Sequence, residues 1–317
     1  TGLFQFGVAL DPRSRLAGSV RFSDSNFRGL GQSLGLELRQ DAYGSGLSAS
    51  IDYVNPYMDS RDTSMAVRIY SRVNNYFTGS GLGSVSPTED RFDERRTGAS
   101  LSFSRPFREV YNASLGVSYE SIRTLNISTT TTQDYIQQDG ELLTLSGQLV
   151  RDRRDVPLDP AEGDYIRLSI EPAFSNITKV GGNLTGNSDV LGRHTFIRNT
   201  LEYKTFFSKR PTDPRRLTDP RNVLAFRARY GVIWGTSPFF EQFFVGGADT
   251  LRGYPDQRFW GRYAFNTSLE YRYPIQKSFS IVGFLDYGGA WGGYGTVNDF
   301  SQSKRADLKL GYGLGAS

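Results

Sequence analysis

The sequence predicts an all-β protein, a single transmembrane antiparallel β-barrel over residues 1–317 with about fourteen strands in this chain. Three observations carry that prediction. Nearly every segment alternates apolar and polar residues with period two. The polar face repeatedly carries charges and small residues, while the apolar face ends in Tyr, Phe or Trp. The connections between segments alternate between short turns and longer loops. Lipid outside, water inside and aromatic girdles at the interfaces produce this pattern. A soluble sandwich also alternates, but its inward face would be built of Val, Ile and Leu. In lipid an open strand edge leaves backbone groups unpaired, so such a sheet must close.

The alternation is explicit in three stretches. In 264–275, Phe265, Leu269, Tyr271, Tyr273 and Ile275 oppose Asn266, Ser268, Glu270 and Arg272. In 222–234, Leu224, Phe226, Ala228, Tyr230, Val232 and Trp234 oppose Arg227, Arg229 and Gly231. In 195–207, Ile197, Leu201, Tyr203 and Phe207 oppose Arg198, Glu202 and Lys204. The strands are expected over 3–10, 17–23, 32–41, 45–54, 64–76, 97–105, 112–123, 141–152, 164–174, 194–207, 222–234, 263–274, 279–291 and 306–316. SNFRGLG, NPYMDSRD, RPFREVY and PIQKS read as short turns; 77–96, 124–140, 175–193 and 235–262 read as long loops. These are the periplasmic and extracellular rims of an outer-membrane barrel. The connections 153–163 and 208–221 are long for the short side, and DPRSR and DAYGSG are brief for the long side.

Composition narrows the chemistry. No stretch approaches the roughly 20 apolar residues of a membrane-spanning helix. There are no cysteines, which removes disulfides, thiolate metal sites and Cys nucleophiles. A single histidine, His194, argues against a His metal site or a Ser-His-Asp triad. Ser188 and Asp189 are its neighbours but lie in a Gly/Asn loop, so a barrel enzyme is disfavoured and no catalytic residue, cofactor or metal is expected. A net charge of +4 from 37 basic and 33 acidic residues is too mild and scattered for nucleic acid. The glycine clusters at 79–83 and 288–295 lack a following Lys-Ser/Thr and open no helix, so they read as turn and rim glycines rather than phosphate cradles. The run 128–132 reads as a surface tip, and TEDRFDERR (88–96) as a solvated charge cluster rather than a calcium site.

The connection 235–262 is the informative one. Loops of about this length are uncommon unless they do something. It carries Phe239, Phe240, Phe243, Phe244, Leu251, Tyr254, Phe259 and Trp260, which water would not tolerate as an exposed group. It is therefore expected to fold back into the lumen, with Gly246, Gly247 and Gly253 allowing a tight inward hairpin. Arg252 would then sit inside and need partners. Glu270 and Asp286 occupy inward positions on the next two strands, and Arg252 is expected to bond Glu270, Asp286, or both. An ordinary exposed loop arginine is the alternative.

GGADTLRGY followed by SLEYRYPI and GFLDYGGAWG resembles the C-terminal half of the BamA-type barrel superfamily. That superfamily includes BamA, TamA, the two-partner secretion transporters and the plastid and mitochondrial import pores. The loop-six motif Val-Arg-Gly-Phe/Tyr stands here as Leu251-Arg252-Gly253-Tyr254. Residues 23–39, 54–67 and 151–172 resemble the same family in the right order. The resemblance implies a sixteen-stranded barrel whose loop-six arginine is held by acidic residues matching Glu270 and Asp286. It also implies preceding periplasmic POTRA modules and two further strands, which are absent from these 317 residues.

The leading expectation is an outer-membrane protein assembly factor. An unfolded client hairpin would pair with the first strand at a lateral gate and bud into the bilayer. Its partners would be unfolded outer-membrane clients, outer-membrane lipids and periplasmic or lipoprotein accessory subunits. The alternative is a polypeptide-transporting pore of the same superfamily; a general porin would need only a constriction.

Overall fold

Period-two alternation resolves into one long meander. The computed structural model describes residues 2–10, 16–40, 46–77, 91–128, 136–182, 190–208, 221–276, 279–293 and 305–316. Its strands are β1 (Gly2–Leu10), β2 (Leu16–Phe27), β3 (Gln32–Gln40), β4 (Leu47–Asn55), β5 (Ser64–Phe77), β6 (Arg91–Phe107), β7 (Tyr111–Ser128) and β8 (Ile136–Asp152). They continue with β9 (Gly163–Gly182), β10 (Gly192–Ser208), β11 (Val223–Gly235), β12 (Phe243–Val245), β13 (Phe259–Gly261), β14 (Tyr263–Gln276), β15 (Phe279–Trp291) and β16 (Lys309–Ala316). Fourteen form one antiparallel barrel sheet in which each strand pairs with the next barrel strand in sequence. The remaining two, β12 and β13, pair only with each other inside the loop between β11 and β14. Among the described residues there is no α-helix.

All fourteen expected strands are present, but their ends differ. β6 starts at Arg91 rather than 97, and β9 runs to Gly182 rather than 174. β7 and β8 also extend toward the loop side, to Ser128 and from Ile136. The 128–132 run lies outside the described residues except for Ser128, which ends β7. The clusters at 79–83 and 294–295, and Ser188 with Asp189, also lie outside them. Gly288 and Gly289 are not rim glycines but belong to β15.

The two faces separate as a membrane barrel requires. Leu36, Ile51, Leu115, Leu145, Leu168, Ile197, Leu201, Leu224, Leu269 and Leu285 all point outward and are exposed. The inward neighbours include Glu120, Glu202, Asn266, Ser268 and Asp286, which are buried. On β6–β9 the outward face changes character at one row. Ala99, Tyr119, Leu143 and Phe174 are successive register partners, and the next outward row is Thr97, Ser121, Glu141 and Asn176. The apolar belt thus ends there, while the strands continue.

Short turns are built by side-chain capping. In the β2–β3 turn, Asn26 Oδ1 accepts from the Gly31 N–H at 2.8 Å, and Arg28 adopts φ 59°. In the β4–β5 turn, Asp59 accepts from the N–H groups of Arg61 (2.9 Å) and Thr63 (3.0 Å), and from the Thr63 hydroxyl (2.7 Å). The turn between β8 and β9 is organised by Asp155, whose Oδ1 accepts from the N–H groups of Val156, Ala161 and Glu162.

Candidate functional site

The loop from Thr236 to Arg262 enters the lumen and is held at both ends. Its aromatic residues drive the entry: Phe239, Phe240, Phe243 and Trp260 are all below 10% exposed, and Leu251 is fully buried. They pack on an apolar inner surface at the loop-side ends of the strands, made of Ile122, Leu142, Ala173, Ile177, Phe196 and Ile233. Phe239 meets Phe244 and Trp260 edge-on at ring distances of 5.3 and 4.8 Å. Inward positions are therefore apolar where these aromatic residues pack on them.

The hairpin tip needs backbone that ordinary residues avoid. Gly246 and Gly247 have φ of 129° and 89°. The Gly247 N–H bonds the Tyr254 carbonyl at 3.0 Å, and Thr250 Oγ1 bonds both the N–H and the carbonyl of Gly246. The 251–254 segment is thereby presented to β14–β16 as a closed turn.

Arg252 bonds both expected carboxylates. Its Nε donates to Asp286 Oδ2 at 2.7 Å, its Nη2 to Asp286 Oδ1 at 2.6 Å, and its Nη1 to Glu270 Oε1 at 2.7 Å. Nη2 also donates to Ser268 Oγ at 2.8 Å, and the Arg252 backbone N–H adds a bond to Asp286 Oδ2 at 3.0 Å. The guanidinium lies 3.7 Å from the centroid of Phe284. A bidentate pair, a second carboxylate and a ring face use the planar fork in ways an ammonium could not. Tyr254 donates its hydroxyl to the Leu310 carbonyl at 3.2 Å. Gly311, opposite Asp286 in the β15–β16 register, lets the Arg252 carbonyl approach: a Cβ there would stand 2.1 Å from that oxygen.

A second anchor was not read from the sequence. Glu241, in the 3-10 turn Phe239–Glu241, accepts from Arg96 Nη1 of β6 at 2.8 Å and Arg198 Nη1 of β10 at 3.2 Å. Arg96 Nη2 donates to the Phe240 carbonyl at 2.7 Å, and the Phe239 N–H bonds Gln138 Oε1 of β8 at 2.5 Å. Arg96 also bonds Glu94 and Glu120, and Tyr70 and Arg72 bond Glu120. The 88–96 stretch is consequently not a solvated cluster in its described part: Asp93, Glu94 and Arg96 are buried. Alternation was the available signal, because Glu94 and Arg96 share the inward phase of β6 with Gly98 and Ser100. Arg227 of β11 adds a further tie to the Asp249 carbonyl at 2.8 Å.

The loop divides the interior. On the side of β2–β10 it leaves a cavity of about 970 Å³, lined by serines such as Ser50, Ser100, Ser118 and Ser146 and by arginines and carboxylates. Phe240, Glu241, Gln242 and Phe244 form the loop's face of that cavity. His194 is not part of it; its Nε2 lies 2.9 Å from the Leu191 carbonyl at the rim. Among the described residues no group of His, Asp or Glu is placed to hold a metal.

Comparison with known proteins agrees with the fold. The Omp85 superfamily domain matches residues 26–316. TOC75-3 of Arabidopsis thaliana chloroplasts is 24% identical over 94% of this chain and 38% of its own length. Outer envelope protein 80 of the same plant is 24% identical over 98% of the chain and 40% of its own. The outer membrane protein assembly factor BamA of Nitratidesulfovibrio vulgaris is 24% identical over 69% of the chain and 26% of its own. The chain thus spans two fifths or less of these relatives. BamA of Haemophilus ducreyi lacking POTRA domains 1–3 superposes with a TM-score of 0.69 at 17% identity, covering the whole chain and 64% of that structure. CdiB of Acinetobacter baumannii gives 0.55 at 12%, over 99% of the chain and 52% of that structure. A lumen-bound loop clamped by Arg252, carried in an integral outer-membrane β-barrel, goes with these likenesses: the chain belongs to the Omp85 superfamily.

Proposed function

We propose that this barrel serves as an outer-membrane protein assembly factor that inserts and folds β-barrel clients through a lateral gate. The observation that carries this reading is the loop tied across the lumen, at Arg252 on one wall and at Glu241 on the other. The tied loop stands in the lumen through which a polypeptide would have to thread. A client handled by such a barrel is better served at a strand edge, where backbone pairing needs no particular side chains. β1 stands at one end of the sheet order, with Leu3, Phe4, Phe6 and Val8 all exposed. Budding of the client would proceed from there into the lipid that already covers the apolar belt. Folding and insertion of the client supply the driving force. Periplasmic or lipoprotein accessory subunits belong to the same proposal, as suppliers of unfolded client.

A second reading, transport of polypeptide through the lumen, is favoured by the polar cavity beside the loop. One experiment separates them. Arg252→Ala is placed in the full-length protein, and outer-membrane protein levels are measured in cells depleted of the wild-type copy, with the barrel's heat-modifiable gel mobility as a control. The assembly reading expects client levels to fall, and Asp286→Asn or Glu270→Gln to reproduce the defect. Unchanged client levels with failed passage of one secreted substrate would establish transport instead.

A further inference from the structure

The two anchors of the loop differ in what they hold shut. The Arg252 anchor lies against β14–β16, and Arg252 does not line the cavity. The Glu241 anchor lies on the cavity wall: Arg96, Arg198, Phe240 and Glu241 all line it. Three consecutive residues, Phe239, Phe240 and Glu241, are tied to β8, β6 and β10. The next residue, Gln242, is buried, and its carboxamide has no hydrogen-bond partner, so it adds nothing to the hydrogen bonds of these three residues. Gly246 and Gly247, both at positive φ, separate this turn from the 251–254 segment.

The ion pairs are also unequal in their dependence on Glu241. Arg96 keeps Glu94 and Glu120 without it, and Arg198 keeps Glu171. Glu241 has Arg96 and Arg198. Neutralising Glu241 therefore removes the ion pairs that tie the turn to β6 and β10 while leaving each wall arginine paired, so no buried charge is stranded.

We propose that Glu241 is the positioning residue that sets the permeability of the lumen: the 239–241 turn is a latch that closes the polar cavity, and it releases independently of the Arg252 clamp. With the latch open, the turn moves away from β6 and β10, and the cavity becomes continuous past the loop. The inference concerns small hydrophilic solutes and ions, and it stands whether the barrel assembles clients or transports them.

The test is single-channel conductance in potassium chloride of the purified full-length protein in planar bilayers, with heat-modifiable mobility confirming a folded barrel. Glu241→Gln is expected to raise conductance, or the fraction of time spent open, by roughly threefold or more. Glu241→Asp, which keeps the negative charge facing Arg96 and Arg198, is expected to leave the traces nearer wild type than Glu241→Gln does. A role confined to barrel stability would lower the yield of folded protein without altering the conductance of the folded fraction. Gln138→Leu supplies the second variant: it removes the acceptor of the Phe239 N–H and leaves every ion pair in place, and brief openings are expected. Folded Glu241→Gln and Gln138→Leu proteins with wild-type conductance would overturn the latch, as would a folded Gln138→Leu protein without openings if Glu241→Gln does not fold.

Discussion

Asp286 is 1% exposed, and its carboxylate accepts three hydrogen bonds from Arg252. Removing the arginine side chain strands that charge, and breaking a buried pair in this way costs about 3–5 kcal/mol. Arg252→Ala is therefore expected to lower the urea-unfolding stability of the barrel in micelles by about that amount. Arg252→Lys should recover less than half of it, because a single ammonium cannot meet Asp286, Glu270 and Ser268 together. Gly311 tests the same contact from the other side. Gly311→Ala places a Cβ against the Arg252 carbonyl and must displace either β16 or the loop. Amide exchange at Arg252, whose N–H is bonded to Asp286, should accelerate by roughly tenfold or more. In the β4–β5 turn the Thr63 hydroxyl, followed by backbone N–H groups and Arg105, holds the Asp59 carboxyl well below the usual carboxylate range. A depressed folded pKa stabilises the turn above the unfolded value of about 4, and that stabilisation disappears as pH falls through the lower folded value. The Thr63 amide shift should thus hold steady through pH ~4 and move only below it, whereas Asp59→Asn should show no such step.

At the scale of elements, the strands were legible because lipid and water impose opposite demands on successive residues. Glu270 and Asp286 could be placed inward from alternation alone, and the loop's aromatic content pointed to its burial. The family resemblance then supplied the motif. Strand ends were harder to read, because β6–β9 outlast the apolar belt. Beyond the row of Ala99, Tyr119, Leu143 and Phe174, both faces become mixed, and the period-two signal fades although the ladder continues. The same fading hid the Glu241 anchor. Arg96 lies in the polar extension of β6, where TEDRFDERR reads as a solvated run, and Glu241 stands alone among aromatic residues. Their pairing spans 145 positions in sequence, which no local pattern reports. The short strands β12 and β13 were missed for a simpler reason: three residues are too few to display a period.

At the scale of the whole molecule, the wall is uneven. β1, β3 and β4 each have 9 residues, whereas β9 has 20. At about 3.3 Å per residue and a tilt near 45°, these strands rise roughly 21 and 47 Å along the barrel axis. Only the shorter figure approximates the lipid core. The tall side, β6–β10, continues as a wet palisade above the bilayer, and the aromatic loop leans against its inner face. Among the described residues the low side has no such screen. Anything approaching from the loop side, whether a large sugar polymer, an antibody or a phage tail, meets a turret with one lowered flank. Its approach to the cavity is therefore directional, over β1–β4, and the same lopsidedness gives neighbouring barrels in a crowded membrane one face that stands proud and one that does not.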